Sequence, residues 1–255
     1  MNISHNKKNK LENSNIIVSG WPSSGGSTQA RLLVLILDMN YIYAGGVLKY
    51  WIEKMGYDPK TNEINLWAEK YHEVWDYIWE NYIALKIKST RRTLLEGKTA
   101  GFLIKSNNIF KIFIKASLKA RSQRSKLDKR KEDIEKRDHV LRRDWTKRFN
   151  VDIFDEKLIN KKYNLIIDTS ELGIEETALI IIKELGGYYK NFDNKQATQK
   201  LEMLMQEYEK DPDILMDMIT KKNLMLQPSA IFKEIKSKHP ELIRGIPSEA
   251  RTVFD

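Results

Sequence analysis

The chain has 255 residues, 41% hydrophobic and 31% charged, with a net charge of +9 and no cysteine. That length suffices for one sizeable core with an appendage. It excludes disulfides, thiolate metal sites and cysteine nucleophiles, while His5, His72, His139 and His239 are too scattered for a histidine metal site.

Residues 1–14 are polar and rich in lysine and asparagine, with no apolar run of the kind a secretion signal needs. A disordered tail and a cytoplasmic location are expected. The run Ile16-Ile17-Val18-Ser19-Gly20-Trp21-Pro22-Ser23-Ser24-Gly25-Gly26-Ser27-Thr28 then joins a short apolar strand to a Gly/Ser-rich turn. Residues 29–38 continue as a helix. This is the context in which G-x-x-x-x-G-K-[ST] cradles phosphate: small residues let backbone N–H groups converge, and the helix N-terminus adds its positive end. One element is missing, because Gly26 stands where that pattern has lysine.

Further along, residues 40–44 read as a second strand and 47–55 as a helix. Residues 62–87 form a long helical stretch whose Trp67, Tyr71, Trp75, Trp79 and Tyr82 fall three or four apart on one face, a core stripe. Residues 93–95 and 109–114 are strands. Between 115 and 148 there are 14 basic against 6 acidic residues, a local excess of +8, arranged as two helical stretches divided around 129–131. A solvated helix face, a nucleic-acid patch and a grip on polyphosphate all fit such a block. A last strand at 163–167 and a helix at 174–185 complete an alternation that implies a parallel sheet covered on both faces, with the loops that follow its strands along one edge.

Gly186-Gly187 is taken to end that pattern. The remainder, 187–255, holds 11 basic and 11 acidic residues and is helical and methionine-rich, an appendage packed on the core or on a protein partner. No run in the chain, including the aliphatic residues 32–37, is long enough for a membrane span.

In order and spacing these landmarks resemble the nucleoside monophosphate kinases, within them the archaeal-type cytidylate kinases and their cytidylate kinase-like relatives, over about residues 15–185. The resemblance rests on the glycine-rich loop, on Tyr43-Ala44-Gly45-Gly46-Val47-Leu48-Lys49 where the family has its acceptor motif, and on Glu96-Gly97-Lys98-Thr99-Ala100-Gly101. It rests also on Arg121, Arg124, Arg137, Arg142 and Arg143 as an arginine-rich lid, and on Asp168-Thr169-Ser170 closing the core.

The resemblance implies an α/β P-loop kinase with a helical acceptor-binding insert, a lid over about 117–150 and a C-terminal helical extension. It implies domains at 15–186 and 187–255. Gly20, Ser23, Ser24, Gly25, Gly26, Ser27 and Thr28 would bind ATP, and Ser27 and Glu96 would hold Mg²⁺. Gly45, Lys49, Lys98 and Gly101 would receive the nucleoside monophosphate, CMP being favoured, and the five arginines would close over the reacting phosphates.

Three departures fall where they matter, Gly26 for lysine and Lys49 and Lys98 for arginines, which keep charge but lose the bidentate fork; Tyr43 and Gly46 also depart from the acceptor motif and leave the base identity open. Three readings follow: an ATP-dependent nucleoside monophosphate kinase, a catalytically impaired nucleotide-binding module or scaffold, and, ranked last, a nucleic-acid binder through 115–148. The acidic residues interleaved among the arginines favour a structured lid over a sticky patch.

Overall fold

A computed structural model describes residues 9–61, 63–98, 100–106, 108–127 and 134–254. Five strands, β2 (Asn15–Gly20), β3 (Asn40–Tyr43), β4 (Thr93–Glu96), β5 (Ile109–Lys115) and β6 (Leu165–Asp168), form one sheet in the order β3-β4-β2-β5-β6. Every pairing in it is parallel. The chain steps outward from β2 to one edge, returns through β4, then continues to the other side, so the strand order reverses at β2. Loops leaving strands at such a switch point open onto a crevice, the usual ligand position in a parallel sheet.

Before the sheet, β1 (Asn9–Lys10) and a 3₁₀ turn at Leu11–Asn13 show that the expected 1–14 tail takes on structure from Asn9. Asn9 and Lys10 pair in parallel with β7 (Tyr189–Lys190). Residues 1–8 lie outside the described residues.

Alternation along the strands sorts side chains to two faces. Ile16, Val18, Leu94, Phe110, Ile112 and Ile114 pack under α1 (Gly26–Leu37) and α8 (Ile174–Tyr188). On the opposite face Ile17, Ile42, Leu95 and Ile109 meet α2 (Ala44–Lys54) and the long α3 (Glu63–Ser89). The aromatic stripe of α3 is core, as its spacing suggests: Trp67, Trp75, Trp79 and Tyr82 are all buried, and Trp75 stacks on Trp79 at 5.1 Å.

A third cluster joins Phe102 and Phe113 to Trp145, Ile153, Ile159 and Tyr163. These come from α4 (Ala100–Leu103), β5, α6 (Ile134–Phe149), the turn at Ile153, α7 (Glu156–Lys162) and Tyr163 at its end, α5 (Leu118–Leu127) preceding α6. The expected division of the basic segment around 129–131 lies outside the described residues.

Gly186 and Gly187 do not break the chain; both lie within α8. The extension then wraps the core. α9 (Asn194–Lys210) and α10 (Ile214–Lys221) supply Ala197, Leu201, Leu204, Leu215 and Ile219 to the α1 face. The chain next crosses the open edge of β3, where Tyr41 N donates to Leu224 O and Leu226 N donates to Tyr41 O, both at 2.8 Å. It continues on the other face as α11 (Pro228–Lys238), a 3₁₀ turn at Pro240–Ile243, α12 (Ser248–Arg251) and a last 3₁₀ turn at Thr252–Phe254. Ile231, Phe232, Ile235, Leu242, Val253 and Phe254 join the α2–α3 core there. Phe232 and Phe254 both lie against Trp51, at 5.8 and 5.9 Å. Of the two placements expected for the appendage, it takes the one on its own core. No helix among the described residues is long and apolar enough to cross a membrane.

Candidate active site at the β2 loop

The turn after β2 is shaped by sterics. A Cβ on Gly20 would sit 2.4 Å from the carbonyl oxygen of Ile114, so only glycine lets β2 lie this close to β5 at its end. Ser24 then pins the turn, its buried hydroxyl lying 2.8 Å from both Trp21 O and Ile114 O, between which its single O–H is shared. Ser23 has φ 59 and Gly25, the N-cap of α1, has φ 94, left-handed conformations that cost a side-chain-bearing residue energy. The first bond of the helix runs from Gln29 N to Gly25 O, and no side chain caps it. The N–H groups of Gly26, Ser27 and Thr28 are therefore left to a ligand or solvent, and a helix start of this kind suits an anion. At Gly26 an added Cβ would meet nothing within 4 Å, so the position that lacks lysine has room for one.

Beside this helix start, Ser27 Oγ donates to Glu96 Oε1 at 2.6 Å. Glu96 ends β4, and its other oxygen accepts from the phenol of Tyr41. A hydroxyl and a carboxylate thus meet at the mouth of the loop. Hard oxygen donors of this type fit Mg²⁺, which takes one or two carboxylates together with substrate phosphates and water. Burial first, and the Glu96 carboxylate second, hold the Tyr41 phenol well above the usual tyrosine range, so it stays a donor.

The arginines divide into two groups. Arg121, almost fully buried, binds Asp138 through two bonds of 3.0 and 2.6 Å, lies over the Trp21 ring, and reaches Ala116 O at 3.1 Å and Pro22 O at 3.4 Å. Arg124 donates to Thr169 O at 2.5 Å and Thr169 Oγ1 at 3.0 Å, and approaches Ser24 O at 3.4 Å. Thr169 Oγ1 donates in turn to Ser24 O at 2.9 Å. Two guanidinium groups from α5 therefore lie along the outer wall of the phosphate loop. Arg137, Arg142 and Arg143 stand on α6; Arg142 pairs with Asp152 at 3.1 Å and lies over Phe154, and Arg143 pairs with Asp144 at 2.8 Å.

On the acceptor side, Gly45 lies in the first turn of α2 beneath the Tyr43 ring, and Lys49 is exposed one turn later. Lys98 is exposed just beyond β4. Gly101 lies in α4, where an added Cβ would meet the Tyr163 ring, and its carbonyl accepts from Lys111 Nζ at 2.7 Å.

Residue types alone did not single out Tyr41, Asp76 or Arg148. Asp76 on α3 is bound by Arg148 of α6 and lies 3.6 Å from His72, and Asp144 lies 3.8 Å from Arg148. Burial, opposed by His72 and Arg148, leaves the Asp76 carboxyl above its usual range; burial likewise lowers His72. This tie joins α3 to α6. Its one sequence signal was the i, i+4 spacing of His72 and Asp76 on a mostly apolar helix.

The sequence pattern described as "Cytidylate kinase" matches residues 60–186, beginning after the phosphate loop and ending within α8. The cytidylate kinase of Sulfolobus acidocaldarius is 30% identical over 173 residues, 66% of this chain and 91% of that protein. Those of Pyrobaculum islandicum and Methanocaldococcus jannaschii are 27% and 26% identical, over 65% and 63% of this chain and 89% and 90% of theirs. Among solved structures, the shikimate kinase of Acinetobacter baumannii in complex with shikimate overlaps with a TM-score of 0.49 at 18% identity, over 69% of this chain and 94% of that one, and adds no weight. With a glycine-shaped anion loop at the switch point of a parallel sheet and relatives matched over nine-tenths of their length, this chain belongs to the cytidylate kinase family.

Proposed function

We propose that the protein transfers the terminal phosphoryl group of ATP to a nucleoside monophosphate, with CMP the favoured acceptor. The observation that carries this reading is the Ser27–Glu96 pair, 2.6 Å apart, set beside the uncapped start of α1. In this reading the amides of residues 24–28 receive the donor phosphates, while Ser27 and Glu96 hold Mg²⁺. When bound, that ion neutralises charge on the phosphates as the bond to the leaving group lengthens. Lys49 and Lys98 receive the acceptor's phosphate, and the arginines of α5 and α6 exclude water and balance charge that spreads over the transferred group. Phosphoryl transfer asks for positioning and positive charge more than for covalent help. Arg121 and Arg124, which reach the Pro22 and Ser24 carbonyls of the loop, are candidates to supply the charge that the missing family lysine would carry.

Gly26 supports a second reading, in which the protein binds nucleotide but transfers little. Removing one preorganised charge from such a site costs on the order of 10²–10³ in rate. One experiment separates the two: ATP, Mg²⁺ and each common monophosphate, with the native protein beside its Gly26→Lys variant. Turnover by the native protein, fastest with CMP and increased by about 10²-fold in Gly26→Lys, supports the kinase. A nucleotide-dependent rise in melting temperature without product from the native protein supports the second reading. Neither turnover nor a thermal shift overturns both.

A further inference from the structure

Tyr41 is fully buried on β3, its ring parallel to that of Tyr43 at 6.1 Å. Alternation puts Tyr41 and Tyr43 on one face of β3, and the register sets Tyr43 opposite Glu96. The Tyr41 phenol therefore crosses diagonally to reach Glu96 Oε2, while Oε1 accepts from Ser27. One carboxylate oxygen is tied to the sheet and the other is aimed at the phosphate loop. A glutamate at a strand end otherwise has three rotatable side-chain bonds to order when a cation arrives, and that ordering opposes binding.

The outer edge of Tyr41 is held by the extension. Its N–H donates to Leu224 O and its carbonyl accepts from Leu226 N, each at 2.8 Å, and Tyr41 and Met225 form the bridge between the two segments. The family match stops at residue 186, so this edge contact lies outside it. The strap runs from the α1 face, across β3, to the α2–α3 face, and Tyr41 is where it touches the strand that leads to the site.

We propose that Tyr41 is a positioning residue for Glu96 toward the divalent cation, and that the C-terminal extension acts on the site by fixing Tyr41. This rests on the kinase reading of the Ser27–Glu96 pair. Because the phenol touches the carboxylate and not the loop amides, its loss acts on metal-bound nucleotide alone.

The test is Tyr41→Phe in the full chain, which keeps the ring and removes the hydroxyl. Binding of ATP is measured by calorimetry with excess chelator and then with Mn²⁺, whose coordination is read in parallel by electron paramagnetic resonance. The expected result is a 3- to 10-fold weaker affinity for Mn²⁺–ATP with metal-free ATP unchanged, and an apparent KM for Mg²⁺ raised by the same factor while kcat at saturating Mg²⁺ changes less than twofold. Leu226→Pro removes the donor to Tyr41 O and is expected to show the same metal-selective loss, whereas Leu226→Ala is not. Equal Mn²⁺–ATP affinity in Tyr41→Phe and native protein, or equal weakening with and without metal, overturns the role of Tyr41. Native-like metal affinity in a folded Leu226→Pro overturns the role of the strap. Should that variant not fold, hydrogen exchange of native protein decides: slower exchange at the Tyr41 and Leu226 amides with Mn²⁺–ATP than with ATP alone supports the coupling, and equal exchange overturns it. If native protein binds neither form of ATP, the kinase reading fails and the proposal with it, a result distinct from a failure confined to the variants.

Discussion

The phosphate loop is held by close backbone contact with one neighbouring strand, whereas the helices α2 and α3 are shaped by what lies on top of them. In the loop, Gly20 and the Ser24 hydroxyl are fixed against the Ile114 carbonyl of β5, and two left-handed residues complete the turn. The α2–α3 half depends on side-chain packing from several distant segments. Trp51 is enclosed by Trp67, Trp75, Phe232 and Phe254, and α3 is tied to α6 by Asp76 and Arg148 and to α11 by Lys86 and Glu234 at 2.5 Å. The loop is thus set by backbone against backbone, and the α2–α3 surface by side chains gathered from much of the chain.

The contrast predicts where substitutions hurt most. Arg148→Ala leaves Asp76, whose side chain is only 8% exposed, without its guanidinium, and breaking a buried pair from one side costs about 3–5 kcal/mol. Urea unfolding should show that loss, and a double variant that also carries Asp76→Asn should recover part of it; no recovery would mean the tie is not an ionic one. Gly20→Ala attacks the other region. Its Cβ must displace the Ile114 carbonyl, an overpacking cost of about 1–3 kcal/mol, and ATP binding should fall with it. A stable variant with native affinity would show that the loop tolerates a wider turn than its geometry implies.

The smallest expected effect concerns Lys111, buried on β5 beneath α4, where its ammonium donates to Gly101 O and Ile104 O. Burial, with Lys162 adding repulsion, brings its pKa down to about 8 from the ordinary 10.5. Above pH 8 the folded protein releases this proton while the unfolded chain keeps it, so the unfolded state binds more protons and Lys111's contribution to stability rises with pH toward 10. Unfolding free energies at pH 7.5 and 9.5 should differ by less in Lys111→Met than in the native protein. An identical difference would mean that the ammonium is not the group responsible.

What could be read from the sequence follows the same division. Strand–turn–helix at residues 16–38, the parallel sheet and the aromatic face of α3 each depend on spacing within one segment, and each is present. Ser27 and Glu96 were paired across 69 residues only because the family resemblance placed both beside one metal. Nothing local marks Tyr41, since a tyrosine in a short strand is ordinary until a neighbouring strand's register brings a carboxylate under its hydroxyl. Gly101 carries a packing reason that its motif does not reveal: Tyr163, distant in sequence, fills the space a side chain would need. Gly186-Gly187 looked like a terminator because two glycines weaken a helix, yet packing of α8 on the sheet carries the helix through both.

The wrapping of the extension has a consequence for biogenesis. Side chains as late as Val253 and Phe254 complete the cluster around Trp51, while the phosphate loop and its five-stranded sheet are finished by β6. During synthesis the sheet can collapse onto α1 and α8, but the indole-rich surface of α2 and α3 is not fully covered until residues 231–254 have left the ribosome. For that interval the nascent protein displays tryptophans to chaperones and proteases, and slow translation of residues 225–254 would lengthen the exposure.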